Sequence, residues 1–281
     1  MCIVLAGGDL RMGYAALVLA REGHKVSFWC GDAGACALCP EAPCLSPKEM
    51  PKGQILVLPF PLSKDQVFLF GAEGKLTLRR VEAVLPRFQV IVGGTLPPSL
   101  FQATQEAGAK VVDLSQEENY TLALADITAE ATLDVLFAHT QTMTEHHHVG
   151  ILGYGRIGQS LTKRILALGG RVTVFARSYE KRQLARTQGA TAQAGFPPAP
   201  ADLTHLTVLV NTVPQATLTL DDLKALPQDA LLVELATGSH FPTGTGHKLI
   251  LAHGLPGKIL PRAAGEALSR LVLQKAPPSP F

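Results

Sequence analysis

Cysteine is absent from this 281-residue chain after residue 44, tryptophan occurs once, and aromatic residues make up only 6%. No run of Lys or Arg exceeds two residues and the formal net charge is +2, which speaks against a nucleic-acid surface. No stretch approaches the roughly 20 uncharged apolar residues of a membrane span. The opening, MCIVLAGGDLRMG, has a five-residue apolar run with no basic region before it. It reads as a first strand rather than a signal peptide, so a cytoplasmic protein with no nucleic-acid or membrane partner is expected. Charged residues are 17% against 47% apolar, a balance that suits buried cores and argues against disorder.

The five cysteines fall in the first 44 residues, and Cys30, Cys36, Cys39 and Cys44 lie within fifteen of one another. A disulfide framework does not suit a large chain with no secretion signal. Cys36-x-x-Cys39 with its two flanking thiols could hold zinc tetrahedrally through sulfur. The irregular spacing and the Pro- and Ala-rich loop favour free thiols instead, and no metal site is assigned.

What is present is a repeated strand, turn and helix. Short apolar runs at 2–6, 25–29, 54–59, 89–94 and 110–114 alternate with helical stretches, and the spacing predicts one long helix over 121–140. The alternation then restarts, with strands expected at 148–152, 171–175, 207–211, 230–235 and 249–252 and a last helix over 262–274. The pattern predicts two doubly wound, Rossmann-like parallel-sheet α/β domains. Their expected extents are 1–118 and 146–260, with a connecting helix in 119–145 and a C-terminal helix and tail in 261–281 that packs back. The triple His146-His147-His148 reads as surface.

Between strand and helix of the second domain stands Gly153-Tyr154-Gly155-Arg156-Ile157-Gly158. The first glycine permits the tight turn, the second lets backbone approach a pyrophosphate, and the third lets helix pack on strand. Helix N-terminal N–H groups then hold the phosphates. At the end of the next strand an NAD enzyme places an acid for the ribose 2′-hydroxyl. Here stand Arg177 and Ser178, a guanidinium and a hydroxyl that suit a 2′-phosphate, so NADP is the expected cofactor. Asn211-Thr212-Val213-Pro214, after the fourth strand of this domain, is placed to line the cofactor crevice or to form a simple turn.

In the first domain the turn Gly7-Gly8-Asp9-Leu10-Arg11 lacks a third glycine. Asp9 and Arg11 suit a pair that presents Arg11 to a carboxylate, and Asp9 equally suits the N-cap of the next helix. Glu130 lies on the long helix one turn after Asp126. If that face lines a cleft, desolvation raises its pKa and makes it a candidate general base; otherwise it faces solvent.

Taken together, GGDLR (7–11), TAE (128–130), ILGYGRIGQSL (151–161), FARS (175–178), NTVP (211–214) and GLPGKILPRAAGEAL (254–268) resemble the A subunits of dipicolinate synthase from spore-forming bacteria, in the same order and over nearly the whole chain. The family's Asn-x-x-Pro-Thr-x-Glu-Gly is kept here only at Thr128 and Glu130. The resemblance implies NADP-dependent oxidation of dihydrodipicolinate, derived from the lysine-pathway branch, to dipicolinate during sporulation. It also implies a partner, a flavoprotein-like B subunit, and leaves a homodimer open. For the site it implies Glu130, Thr128 and Asp9 in catalysis, and Arg11, Gly254, Leu255, Pro256, Gly257 and Arg262 gripping the dicarboxylate. Two alternatives stand beside it. A D-2-hydroxy-acid dehydrogenase needs an Arg after the fifth strand of the nucleotide domain, where Thr237-Gly238 stand, and a late acid–His pair, for which His253 is available but no acid is suitably placed. A non-catalytic nucleotide-binding scaffold needs no turnover.

Overall fold

The computed structural model describes residues 1–72, 74–215 and 218–277. The chain divides into two compact units, one formed by Met1–Leu124 with Pro256–Phe281, the other by Ala125–Leu255.

The first unit runs β1 (Cys2–Ala6), α1 (Leu10–Arg21), β2 (Lys25–Trp29), α2 (Ala33–Leu38), β3 (Cys44–Leu45), β4 (Ile55–Val57), α3 (Leu78–Glu82), β5 (Val90–Gly93), α4 (Pro98–Glu106), β6 (Lys110–Asp113) and the start of α5 (Glu118–Thr140). Its parallel sheet has the order β3-β2-β1-β4-β5-β6. Every residue of β4 and β5 is buried, which is why these strands read as continuous apolar runs: helices cover both faces of a parallel sheet.

The second unit takes up the rest of α5 and continues with β7 (His148–Leu152), α6 (Arg156–Ala167), β8 (Arg171–Phe175), α7 (Tyr179–Thr187), β9 (Thr191–Gln193), α8 (Pro200–Leu203), β10 (Val208–Asn211), α9 (Leu220–Leu223), β11 (Leu231–Glu234) and β12 (Lys248–Leu251). Read from its other edge, its order β12-β11-β10-β7-β8-β9 is the order of the first unit. In both, the strand sequence reverses beside the first strand, and ligands of such sheets bind at that switch point, outside the carboxyl ends of the strands.

From Pro256 the chain rejoins the first unit. Here α10 (Leu255–Lys258) leads into α11 (Pro261–Lys275), which packs along α1. A Cβ on Gly265 would lie 2.6 Å from the carbonyl oxygen of Arg11, so the backbones of the two helices approach closely. Lys275 of α11 adds a 2.7 Å ion pair to Glu117.

The histidine triple is not a surface feature. His147 is buried, with its ring nitrogens 3.0 Å from the hydroxyls of Thr207 and Thr140. His148 lies 2.8 Å from the Thr173 hydroxyl and against His205, and burial pushes its pKa down to about 4. Only His146 is largely exposed. Adjacent residues diverge at a strand start, and here two of the three side chains find polar partners inside.

Among the described residues no group of three or more His, Cys, Asp or Glu side chains is arranged to hold a metal. All five cysteines are free thiols. Burial, with the neighbouring Cys44 thiol, pushes Cys36 up to about 12, a protonated and unreactive state at neutral pH.

Candidate functional site

In the second unit, β7 delivers the chain to Gly153 at φ +91°, where a side chain would strike Thr212 Oγ1 at 2.7 Å. Gly155 is different: a Cβ there meets nothing within 4 Å, so this is the open edge of the turn. At Gly158 a Cβ would lie 2.7 Å from the Gly153 carbonyl oxygen, which fixes the close packing of α6 on the turn. The three positions thus serve turn, ligand approach and packing, as the motif requires. Gly155 is the N-cap of α6 and provides no side-chain cap, leaving the first-turn N–H groups and the positive end of the dipole directed at an anion.

The switch point is closed by the exit of β10. The Thr212 hydroxyl donates to the Leu152 carbonyl at 2.8 Å. Asn211 is buried and donates through Nδ2 to the Val213 carbonyl (2.9 Å) and to Glu234 Oε1 (2.8 Å). These two side chains shape the loop, while Pro214 is its exposed edge. Tyr154 is likewise structural: its ring is buried and its hydroxyl donates to Gln188 Oε1 at 2.5 Å, so only its backbone can serve a cofactor.

At the end of β8, Ser178 caps α7 by accepting from the Lys181 N–H at 3.2 Å. The Arg182 guanidinium donates to the carbonyls of Ala176 (2.8 Å) and Arg177 (2.6 Å) and thereby fixes this turn. Arg177 itself is exposed, 5.9 Å from the Phe196 ring centre. Ala176, Arg177 and Ser178 follow β8, and the Ser178 hydroxyl donates to Glu180 Oε2 at 2.5 Å. The turn and the uncapped helix suit a nicotinamide dinucleotide, and Arg177 adds an exposed cation at the end of β8.

The matching turn of the first unit is closed. The Gly8 N–H donates to the Phe70 carbonyl at 2.6 Å, and a Cβ on Gly71 would lie 1.9 Å from the Gly8 carbonyl oxygen. The segment around Phe70 therefore occupies the space that a phosphate would need.

What this turn builds instead is a fixed ion pair. Asp9 accepts the Arg11 N–H at 3.1 Å as cap of α1, and also accepts Arg11 Nε at 2.8 Å and Nη2 at 2.9 Å. The two alternatives open in the sequence, cap and Arg partner, are both realised. A Cβ on Gly257 would lie 2.7 Å from Asp9 Oδ2 and 3.1 Å from Arg11 Nε, so this part of the GLPG segment is brought against the pair. A recess beside it is lined by Met12, Leu58, Phe60, Leu114 and Tyr120. Tyr120 was not among the expected residues, since the long helix was expected to start after it. Burial pushes its hydroxyl pKa up to about 12, with Arg11 and Asp9 as the nearby charges.

Other expected residues lie apart. Arg262 is on an exposed face, with Nε on Glu266 Oε1 at 2.9 Å and its side chain 74% accessible. Gly254 and Leu255 belong to the second unit, whereas Pro256 and Gly257 belong to the first. The Glu130 side chain is 64% accessible and faces Arg164 at 3.4 Å, with Asp126 on the same guanidinium at 3.2 Å. Thr128 is half-buried on the same helix, and its carbonyl accepts from Thr132.

Residues 2–115 match the family described as the N-terminal domain of the dipicolinate synthase A subunit. Residues 125–244 match the D-isomer specific 2-hydroxyacid dehydrogenase, NAD binding domain. Fold, glycine turn and these matches define an oxidoreductase-like protein with a nicotinamide-dinucleotide-binding domain. Within that class, the chain's likeness is to the dipicolinate synthase A subunit.

The dipicolinate synthase A subunit of Bacillus subtilis (strain 168) is 28% identical over 197 residues, or 66% of this chain and 64% of that protein. The match therefore spans just under two thirds of the relative's length. The crystal structure of the dipicolinate synthase A subunit from Bacillus halodurans superposes with TM-score 0.81 at 22% identity, covering 97% of this chain and 96% of that one. The crystal structure of its Bacillus subtilis counterpart gives 0.80 at 22% identity, with 98% and 95% covered. At that identity the likeness is one of fold. No helix among the described residues is long and apolar enough to cross a membrane.

Proposed function

We propose that the chain is the NADP-binding A subunit of a dipicolinate synthase, oxidising dihydrodipicolinate to pyridine-2,6-dicarboxylate and partnered by a B subunit. The observation that carries this reading is the Asp9–Arg11–Gly257 arrangement, in a first unit whose residues 2–115 match the A-subunit N-terminal domain.

Each residue's part follows from its chemistry. In the second unit, Gly155 and the first turn of α6 bind the pyrophosphate, and Arg177 with Ser178 binds the 2′-phosphate. Bound there, the nicotinamide supplies the two-electron acceptor. In the first unit, Asp9 uses Nε and Nη2 of Arg11, which leaves the far edge of the guanidinium, through Nη1, for a substrate carboxylate. The recess beside it, lined by Met12, Leu58, Phe60, Leu114 and Tyr120, is only about 10 Å³, room for a single water, so a substrate ring would lie outside it, against the Arg11 edge.

Oxidation of dihydrodipicolinate by the purified chain with NADP, followed as NADPH absorbance and as dipicolinate formed, tests the reading. Turnover with small D-2-hydroxy acids instead would favour the alternative suggested by the match of residues 125–244. Nucleotide binding without turnover, restored by a B subunit, would favour the scaffold.

A further inference from the structure

At the carboxyl end of β11, next to the strand whose exit closes on the glycine turn, lies a group of residues that no part of the proposed site uses. Glu234 is fully buried there. Its Oε1 accepts from Asn211 Nδ2 (2.8 Å) and the Ala236 N–H (3.2 Å), and its Oε2 accepts the His240 N–H at 2.9 Å. The His240 ring turns back on the same carboxylate: Nδ1 is buried 3.5 Å from Oε2, an ion-pair approach that makes no hydrogen bond. A Cβ on Gly238, which has φ +108°, would come within 3.0 Å of ring Cε1. The imidazole thus rests on bare backbone and is confined to this orientation.

We propose that His240, oriented by Glu234, is the proton acceptor of the oxidation. The carboxylate offers only lone pairs, so a proton on Nδ1 is the one that can face it, and Nε2 is the nitrogen left to accept from a substrate. Nδ1 is buried, and the 16% of the side chain that stays accessible lies elsewhere on the residue. A dinucleotide in this fold crosses the carboxyl edge of the sheet with its pyrophosphate at the glycine turn. A dinucleotide with its adenosine end at Arg177 after β8 would direct its nicotinamide end toward β10 and β11, the strands beside His240. In the step, the substrate loses one hydrogen with two electrons to the nicotinamide and a second hydrogen as a proton to Nε2, and a ring double bond forms. Among the described residues, Glu234 is the charged group in contact with the ring. Glu234 is a positioning residue. Asn211 holds it from the next strand.

The proposal rests on the NADP-oxidoreductase reading and is tested so that the two can fail separately. In the full-length chain with ¹⁵N-labelled histidine, assigned with His240→Asn, the His240 ring should show the Nδ1–H tautomer and shift when NADP is added. An Nε2–H tautomer, or no response to NADP, would overturn the proposal whatever the substrate proves to be. With dihydrodipicolinate, His240→Asn should lower turnover by about 10²–10⁴-fold and abolish the acidic limb of the pH–rate profile, with NADP affinity by calorimetry unchanged. Unaltered turnover in that variant would equally overturn it. Absence of turnover in the unmodified chain, with the expected tautomer and NADP response, would count against the substrate reading alone. Glu234→Gln should shift the apparent pKa of the acidic limb; if it fails to fold, the tautomer measurement on the unmodified chain decides.

Discussion

The Gly8 N–H donates to the carbonyl of Phe70 at 2.6 Å, and this contact separates two units that share one strand order. A backbone carbonyl satisfies the donor that a phosphate would use, whereas Gly155 in the other unit has open space beside it. One dinucleotide per chain is therefore expected. Calorimetric titration with NADP should give a stoichiometry near one, and two equivalent sites would refute the assignment.

Arg177 is exposed at the end of β8, with Arg182 rather than Arg177 holding the turn. Arg177→Ala should therefore leave the fold intact and weaken NADP binding. A charge-assisted contact is worth about 1.5–3 kcal/mol, or roughly tenfold to a hundredfold in affinity. NAD affinity should barely move. Tighter binding of NAD than of NADP by the unmodified chain would sink the 2′-phosphate reading.

Asp9 and Arg11 are locked together, with Gly257 packed against them. Gly257→Ala places a methyl 2.7 Å from Asp9 Oδ2, so the pair or α10 has to shift. Both Gly257→Ala and Arg11→Ala are expected to weaken dipicolinate binding to the NADP-loaded chain, Arg11→Ala by about tenfold to a hundredfold. Their NADP affinity should match that of the wild type. Unchanged dipicolinate binding in both would remove the first unit from substrate recognition.

Glu130 shares Arg164 with Asp126 on an exposed face. Exposed ion pairs contribute about 0–1 kcal/mol, so Glu130→Gln should change the melting temperature little. With desolvation absent, its turnover should stay within a few-fold of wild type, whereas loss of a general base costs about 10²–10⁴-fold. A loss in that range would return the role to Glu130 and displace His240.

His148 is held neutral by burial, its pKa lowered from 6.5 to about 4. Between those values the unfolded chain binds a proton that the folded chain refuses. Its contribution to stability is thus complete above pH 6.5 and is lost as the pH falls toward 4. Thermal melts from about pH 7 to about 4.5 should show a shallower decline for His148→Gln than for wild type. Equal slopes would show that other groups carry the acid sensitivity.

Much of this protein was legible in one dimension. Strands 2–6, 25–29, 148–152 and 171–175 appear with the expected bounds, because a strand buried on both faces must be a short, nearly unbroken apolar run whatever surrounds it. The glycine turn was legible for the same kind of reason, since each glycine answers a local steric demand. The two-residue β3 and three-residue β9 were not: edge strands so short carry no periodicity. Tertiary structure alone decided which turn stays open, because Phe70 reaches Gly8 across 62 residues of chain. It also decided that Glu234 and His240 face each other, and that Glu130 does not lose its water. Charge and type are written in the sequence. Desolvation and pairing depend on which distant backbone and side chains arrive beside a group, and only the folded packing sets that.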